Sequence, residues 1–156
     1  MIFYWEKNMR KLVLLTCALL LSACGTSGVQ NVELLNQPVP AKHSRLIVNR
    51  SNDLLYLAAA ADVSVNGRKI ASLARGGSVV HNIQDGRNVV SVTTPMAFGN
   101  FSTSFEAKAG ETYSFEVSPR SEALMVGSAF GMMGDAVNAS INENTGYFQI
   151  VLKEIE

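Results

Sequence analysis

The chain has 156 residues, with 13 Lys and Arg against 13 Asp and Glu and 47% apolar residues. Three of those bases (Lys7, Arg10, Lys11) and one acid (Glu6) precede the processing site argued below, so the remainder is slightly acidic. That excludes the basic footprint of a nucleic-acid binder and an electrostatic grip on anionic lipid. It is also the size of one domain and too short for two ordinary ones.

Residues 9 to 25, MRKLVLLTCALLLSACG, place a basic pair, Arg10 and Lys11, before the short apolar run Leu12 to Leu21, which ends in small residues and Cys24. This order is an export signal with a processing site. The apolar run is about half of the ~20 residues needed to cross a bilayer, which argues against a transmembrane anchor. Residues 1–8 fit a signal poorly, because Glu6 and the aromatics precede the basic pair, and Met9 offers a second start. Residues 1–23 are therefore read as signal peptide, and residues 24–42, polar and with Pro38 and Pro40, as a flexible tether.

From residue 43 onward short strand-like runs alternate with turn signals. Ser44 to Arg50 is the first strand. Leu54 to Asp62 is apolar and Ala-rich, and its pattern suits a bulged strand or a helical turn equally. Val63 to Val65, the Asn66-Gly67 pair and Arg68 to Leu73 form a hairpin with a two-residue turn. Gly76-Gly77 turns the chain into Ser78 to Ile83, and Asp85-Gly86 into Asn88 to Thr93, rich in β-branched residues. Phe101, Thr103 and Phe105, then Tyr113, Phe115 and Val117, alternate with polar residues in two further strands.

Residues 122–142 change the period. Val126, Phe130, Met133, Val137 and Ile141 recur at steps of four, three, four and four, which predicts one helix with an apolar face. Ser121 supplies an N-cap, but Gly127, Gly131 and Gly134 each cost about 1 kcal/mol relative to Ala, so the helix needs a surface to pack on. Two readings stand: Phe130, Met133 and Val137 cover the core, or Val126, Phe130, Met133 and Val137 meet a partner or ligand. Tyr147 to Ile155 forms the last strand. The sum is a mostly β chain, an antiparallel β-sandwich of seven or eight strands over residues 43–156, with one Gly-rich helix before the last strand.

The lipobox-like stretch Leu21-Ser22-Ala23-Cys24 resembles that of bacterial lipoproteins, which implies that Cys24 is lipidated and becomes the first residue of the mature protein. By the same resemblance Gly25, in place of a retaining Asp, implies the outer membrane with the domain facing the periplasm. Within the domain, Val65 to Ile70, Ile83 to Asn88 and Lys108 to Tyr113 resemble PEGA-like β-sandwich modules, and more closely a family of small bacterial lipoproteins with a domain of unknown function. Gln84-Asp85-Gly86-Arg87 departs from the Pro-Gly turn usual there. The resemblance implies no activity, cofactor or catalytic residue.

Reactive groups are sparse. His43 and His81 show no ligand spacing to Cys, His or carboxylates, and no phosphate loop, nucleophile elbow or zinc helix occurs. With Cys17 in the signal and Cys24 acylated, no thiol remains for a disulfide or metal. The expectation is a lipid-anchored, non-catalytic accessory or adaptor that binds an envelope protein or a second copy of itself. An alternative is a carrier of a small apolar ligand in a cavity lined by Phe98, Phe101, Phe130 or Met133, and a weaker one is an envelope hydrolase using His81.

Overall fold

The Asn66-Gly67 pair shows how local chemistry sets the register. Both residues take positive φ, 49° and 78°, as a two-residue hairpin turn with the strands' own twist requires. The Asn66 side chain then ties the turn to the neighbouring strand, accepting from the Val89 amide at 2.8 Å and donating to Asn88 Oδ1 at 3.0 Å. A computed structural model describes residues 27–95, 98–120 and 144–156.

The strands are β1 (Val29–Gln30), β2 (His43–Arg50), β3 (Ala61–Val65), β4 (Arg68–Leu73), β5 (Ser78–Gln84), β6 (Gly86–Thr93), β7 (Asn100–Ala107), β8 (Thr112–Pro119) and β9 (Phe148–Ile155). They form a five-stranded sheet in the order β1-β5-β2-β8-β9 and a four-stranded sheet in the order β4-β3-β6-β7. Period-two alternation points Leu46, Val48, Val79, Tyr113, Phe115, Val117, Phe148 and Ile150 from the first sheet against Val63, Val65, Leu73, Val90 and Val92 from the second, all in one buried cluster. The β-rich, two-sheet architecture agrees with the sequence reading.

Two features differ from it. The sandwich is not wholly antiparallel: β2 pairs with β8, and β1 with β5, in parallel. The chain leaves β2 for the second sheet and returns twice, so β5 and β8 land on opposite sides of β2 running in opposite directions. The Leu54 to Asp62 stretch is neither strand nor helix up to Ala60; it is a turn in which Tyr56 takes φ 56° and stacks on Tyr147 at 4.7 Å. The predicted helix at 122–142 lies outside the described residues, whose only helical element is the 3-10 turn Val32–Asn36.

The stretch read as tether is not all free chain. Gly28 accepts from the Ser78 amide at 2.9 Å, β1 extends the β5 edge, and the Val32–Asn36 turn follows. Asn31 then donates to Val80 O at 3.1 Å and Arg45 to Gln37 O at 2.8 Å. This segment covers the outer face of β5 and β2, where Val80 is fully buried outside the main core. Burial of an apolar residue on the sheet's back is what holds a polar-looking segment in place.

The described connections and strand ends fall at two ends. The proximal end gathers Gly28, the 51–60 loop, the 74–77 turn, Thr94, Gly99 and the residues flanking 121–143, joined by bonds such as Arg50 N to Gly77 O, Gly76 N to Ser51 O and Thr145 N to Asn100 O. The distal end gathers Lys42, Asn66-Gly67, Asp85, the 108–111 turn and Glu156, joined by Asp85 N to Lys42 O, Gly110 N to His43 O and Asn66 N to Val89 O.

Candidate functional site

At the distal end the two sheets part over an open cleft of about 320 Å³ lined by Val65, Asn66, Arg68, Ile70, His81, Asn82, Ile83, Gln84 and Asn88. Its shape follows from an irregularity in the β3–β4 ladder. Val63 opposes Ala71 but Ser64 opposes Lys69, so Ile70 is an extra residue, and such a bulge re-aims the side chains beyond it. Arg68, paired with Val65 across the two-residue turn, shares that residue's face and stays exposed, whereas Lys69 points to the other face and reaches Asp62 at 2.7 Å.

His81 faces the cleft from β5, directly opposite the buried Leu46. Burial, and secondarily the Arg68 charge, push its pKa below the usual imidazole value. Asn88 is buried and donates to both Gln84 O and Gly86 O at 2.9 Å, so its amide holds the β5–β6 bend. Asp and Glu are missing from the described residues lining the cleft. Imidazole and guanidinium here form a small donor surface without an acid to orient the imidazole as a base.

The turn motif Lys108 to Tyr113 has a structural use. Tyr113 is buried, with its hydroxyl donating to Glu111 Oε2 at 2.6 Å and accepting from the Lys108 amide at 2.9 Å. Burial raises its pKa, reinforced by the bond to Glu111. No group of three or more His, Cys, Asp or Glu among the described residues is placed to hold a metal ion.

The proximal end is different in character. Arg50 is buried, donating to Ala59 O, to Leu73 O at 2.8 Å and to Tyr56 O at 3.0 Å, with its guanidinium 4.6 Å from the Phe148 ring centre. Burial lowers its pKa, and an arginine remains charged even so. This cation fixes the 51–60 loop with Tyr56 turned inward and Leu54, Leu55 and Leu57 outward, 71%, 42% and 54% exposed. Phe98 on the adjoining connection is 61% exposed.

Beside them the backbones of Gly99 and Gly146 touch: a Cβ on Gly99 would stand 2.5 Å from the Gly146 nitrogen. Arg120 N to Tyr147 O at 2.9 Å and Ser102 N to Asn144 Oδ1 at 3.1 Å complete the junction. The chain therefore leaves at residue 120 and returns at 144 through adjoining, hydrogen-bonded points.

Of the residues expected to act, Cys24, Val126, Phe130, Met133 and Val137 lie outside the described residues. Of the residues suggested for an apolar cavity, Phe98 is exposed and Phe101 packs on the core with the Arg120 guanidinium 5.7 Å from its ring centre. Sequence reasoning missed Arg68, which joins a cleft only through strand β5 of the other sheet, and the exposed leucines, whose direction depends on Tyr56. A run of apolar residues at 54–57 after a polar turn was the available signal for the latter. No family model matches the chain, and no curated protein matches it.

Proposed function

We propose that this protein is an envelope lipoprotein, anchored through lipid on Cys24 in the outer membrane and facing the periplasm, whose sandwich binds a protein partner and does not catalyse a reaction. The observation that carries the reading is the run MRKLVLLTCALLLSACG, with basic flank, short apolar stretch and small residues before Cys24. Several acyl chains on one cysteine make attachment durable, at about 0.8 kcal/mol per buried methylene. Binding is supported by the described flanks of the 121–143 stretch: Arg120 donates from its guanidinium to Asn144 O at 2.8 Å and from its amide to Tyr147 O at 2.9 Å, so the stretch begins and ends at one point of the fold. Val126, Phe130, Met133 and Val137 are the proposed contact residues within it. The membership in a PEGA-like lipoprotein family suggested by the turn motifs belongs to this proposal as well.

Two measurements test it. Cys24→Ala abolishes incorporation of labelled fatty acid and leaves the precursor uncut; normal processing of that variant removes the anchor. A photo-crosslinking residue at Met133, irradiated in living cells, gives a discrete protein adduct or a homodimer. A folded, accumulating probe with no adduct removes the partner-binding role from this stretch.

A further inference from the structure

We propose that the proximal end of the sandwich lies on the bilayer that holds Cys24, with Leu54, Leu55, Leu57 and Phe98 inserted at the lipid interface. The inference rests on the lipid-anchor reading above and adds an orientation to it. Its first support is reach. Gly28 is held at the proximal end, where its carbonyl accepts from the Ser78 amide. The four steps from Cys24 to Gly28 span at most ~14 Å even when fully extended. A lipidated Cys24 sits at the interface, so the proximal end cannot stand off, and the distal cleft lies farther away by the length of β5, roughly 20 Å for its strand rise.

The second support is what that end displays. Three leucines and a phenylalanine, between 42% and 71% exposed, lie at this same end of the sandwich, the leucines around Tyr56, which stacks on Tyr147, and Phe98 next to the Gly99–Gly146 contact. They cannot turn inward, because Arg50 grips the carbonyls of Tyr56 and Ala59 and Tyr56 occupies the space against Tyr147 and Phe148. Apolar side chains on a surface patch seek another apolar phase, and an interfacial group buries ~5–10 Å deep at the headgroup and acyl boundary. The slightly acidic mature chain offers no strong electrostatic attraction, so the contact is apolar. The bilayer is the occupant because the tether places this end, and no other, within its reach.

The test uses the full lipoprotein purified from cells. Trp5, the only tryptophan, lies in the signal peptide, so a Leu57→Trp variant carries a single indole after processing. Mass spectrometry first reads the lipid on Cys24. Reconstitution follows in phosphatidylethanolamine and phosphatidylglycerol vesicles with or without brominated acyl chains. Leu57→Trp is expected to be quenched about twofold or more by the brominated lipid, the depth expected of an interfacial side chain. Arg87→Trp, on an exposed distal position, is expected to be unaffected. Phe98→Trp, a conservative change at a second site, gives the same result should Leu57→Trp fold poorly.

Equal quenching at both ends, or none at either proximal site, overturns the orientation while a lipidated Cys24 leaves the anchor standing. Blue-shifted, unquenched emission at the proximal sites overturns it too, and shows protein covering the patch, from residues 121–143 or a second molecule. Absence of lipid on Cys24 removes the anchor reading and the orientation together.

Discussion

Replacing Arg50 by Met tests whether one buried cation holds the proximal loop. Met keeps the length and apolar volume of the stem and removes donors to three carbonyls, those of Ala59, Leu73 and Tyr56. Three charge-assisted bonds at about 1.5–3 kcal/mol each give a gross loss of ~5–9 kcal/mol, and relief from burying a charge offsets several of these, leaving about 2–4 kcal/mol. For a domain of this size that corresponds to a fall in Tm of roughly 6–15 °C. Urea unfolding followed by circular dichroism reads the stability, and hydrogen exchange reads the Ala59 amide, which donates to Tyr56 O at 3.0 Å in the turn. The Arg50→Met variant is expected to lose both global stability and Ala59 protection, with Arg50→Lys intermediate because an ammonium cannot reproduce the planar fork. A variant within about 0.5 kcal/mol of the parent, with Ala59 still protected, refutes the argument that Arg50 organises the loop.

Gly99→Ala is expected to cost about 3 kcal/mol or more, because φ is +105° and the new methyl meets the Gly146 backbone, whereas Gly67→Ala, strained at φ +78° but open in space, costs about 1–2 kcal/mol; equal losses in thermal unfolding would contradict the close approach. Tyr113→Phe strands the Lys108 amide and removes the donor to Glu111, so a loss of about 1–3 kcal/mol is expected in urea titrations, and a neutral outcome would detach the hydroxyl from the fold. His81 has its pKa lowered in the folded state, so below the ordinary imidazole value near 6.5 the unfolded chain takes up a proton that the folded chain resists. Stability from this residue is therefore complete above that pH and declines as pH falls toward the folded value. His81→Gln should flatten that part of the pH–stability curve, and an unchanged slope assigns the acid sensitivity elsewhere.

The alternating residues of β2, β5, β6, β8 and β9 were legible along the chain because a side chain's face in a strand depends only on parity. The Asn66-Gly67 turn was legible because positive φ at two successive residues is open to few pairs. The candidate cleft was not. Arg68 is an exposed residue at the start of its strand, and what makes it part of a cleft is His81, which lies on a strand of the other sheet.

Residues 27–42 look like a linker for an equivalent reason. Their composition is polar, and what fixes them is the back of β5, where Val80 requires cover. The β character and most strand positions depend on short windows of sequence, since period and turn chemistry are local properties. Tertiary structure alone decided the parallel pairing of β2 with β8, the single end at which Gly28, the leucines and the flanks of 121–143 meet, and the burial of Arg50. Each of these is set by contacts between residues far apart in the chain, where burial and hydrogen-bond satisfaction outweigh the local preference of any one residue.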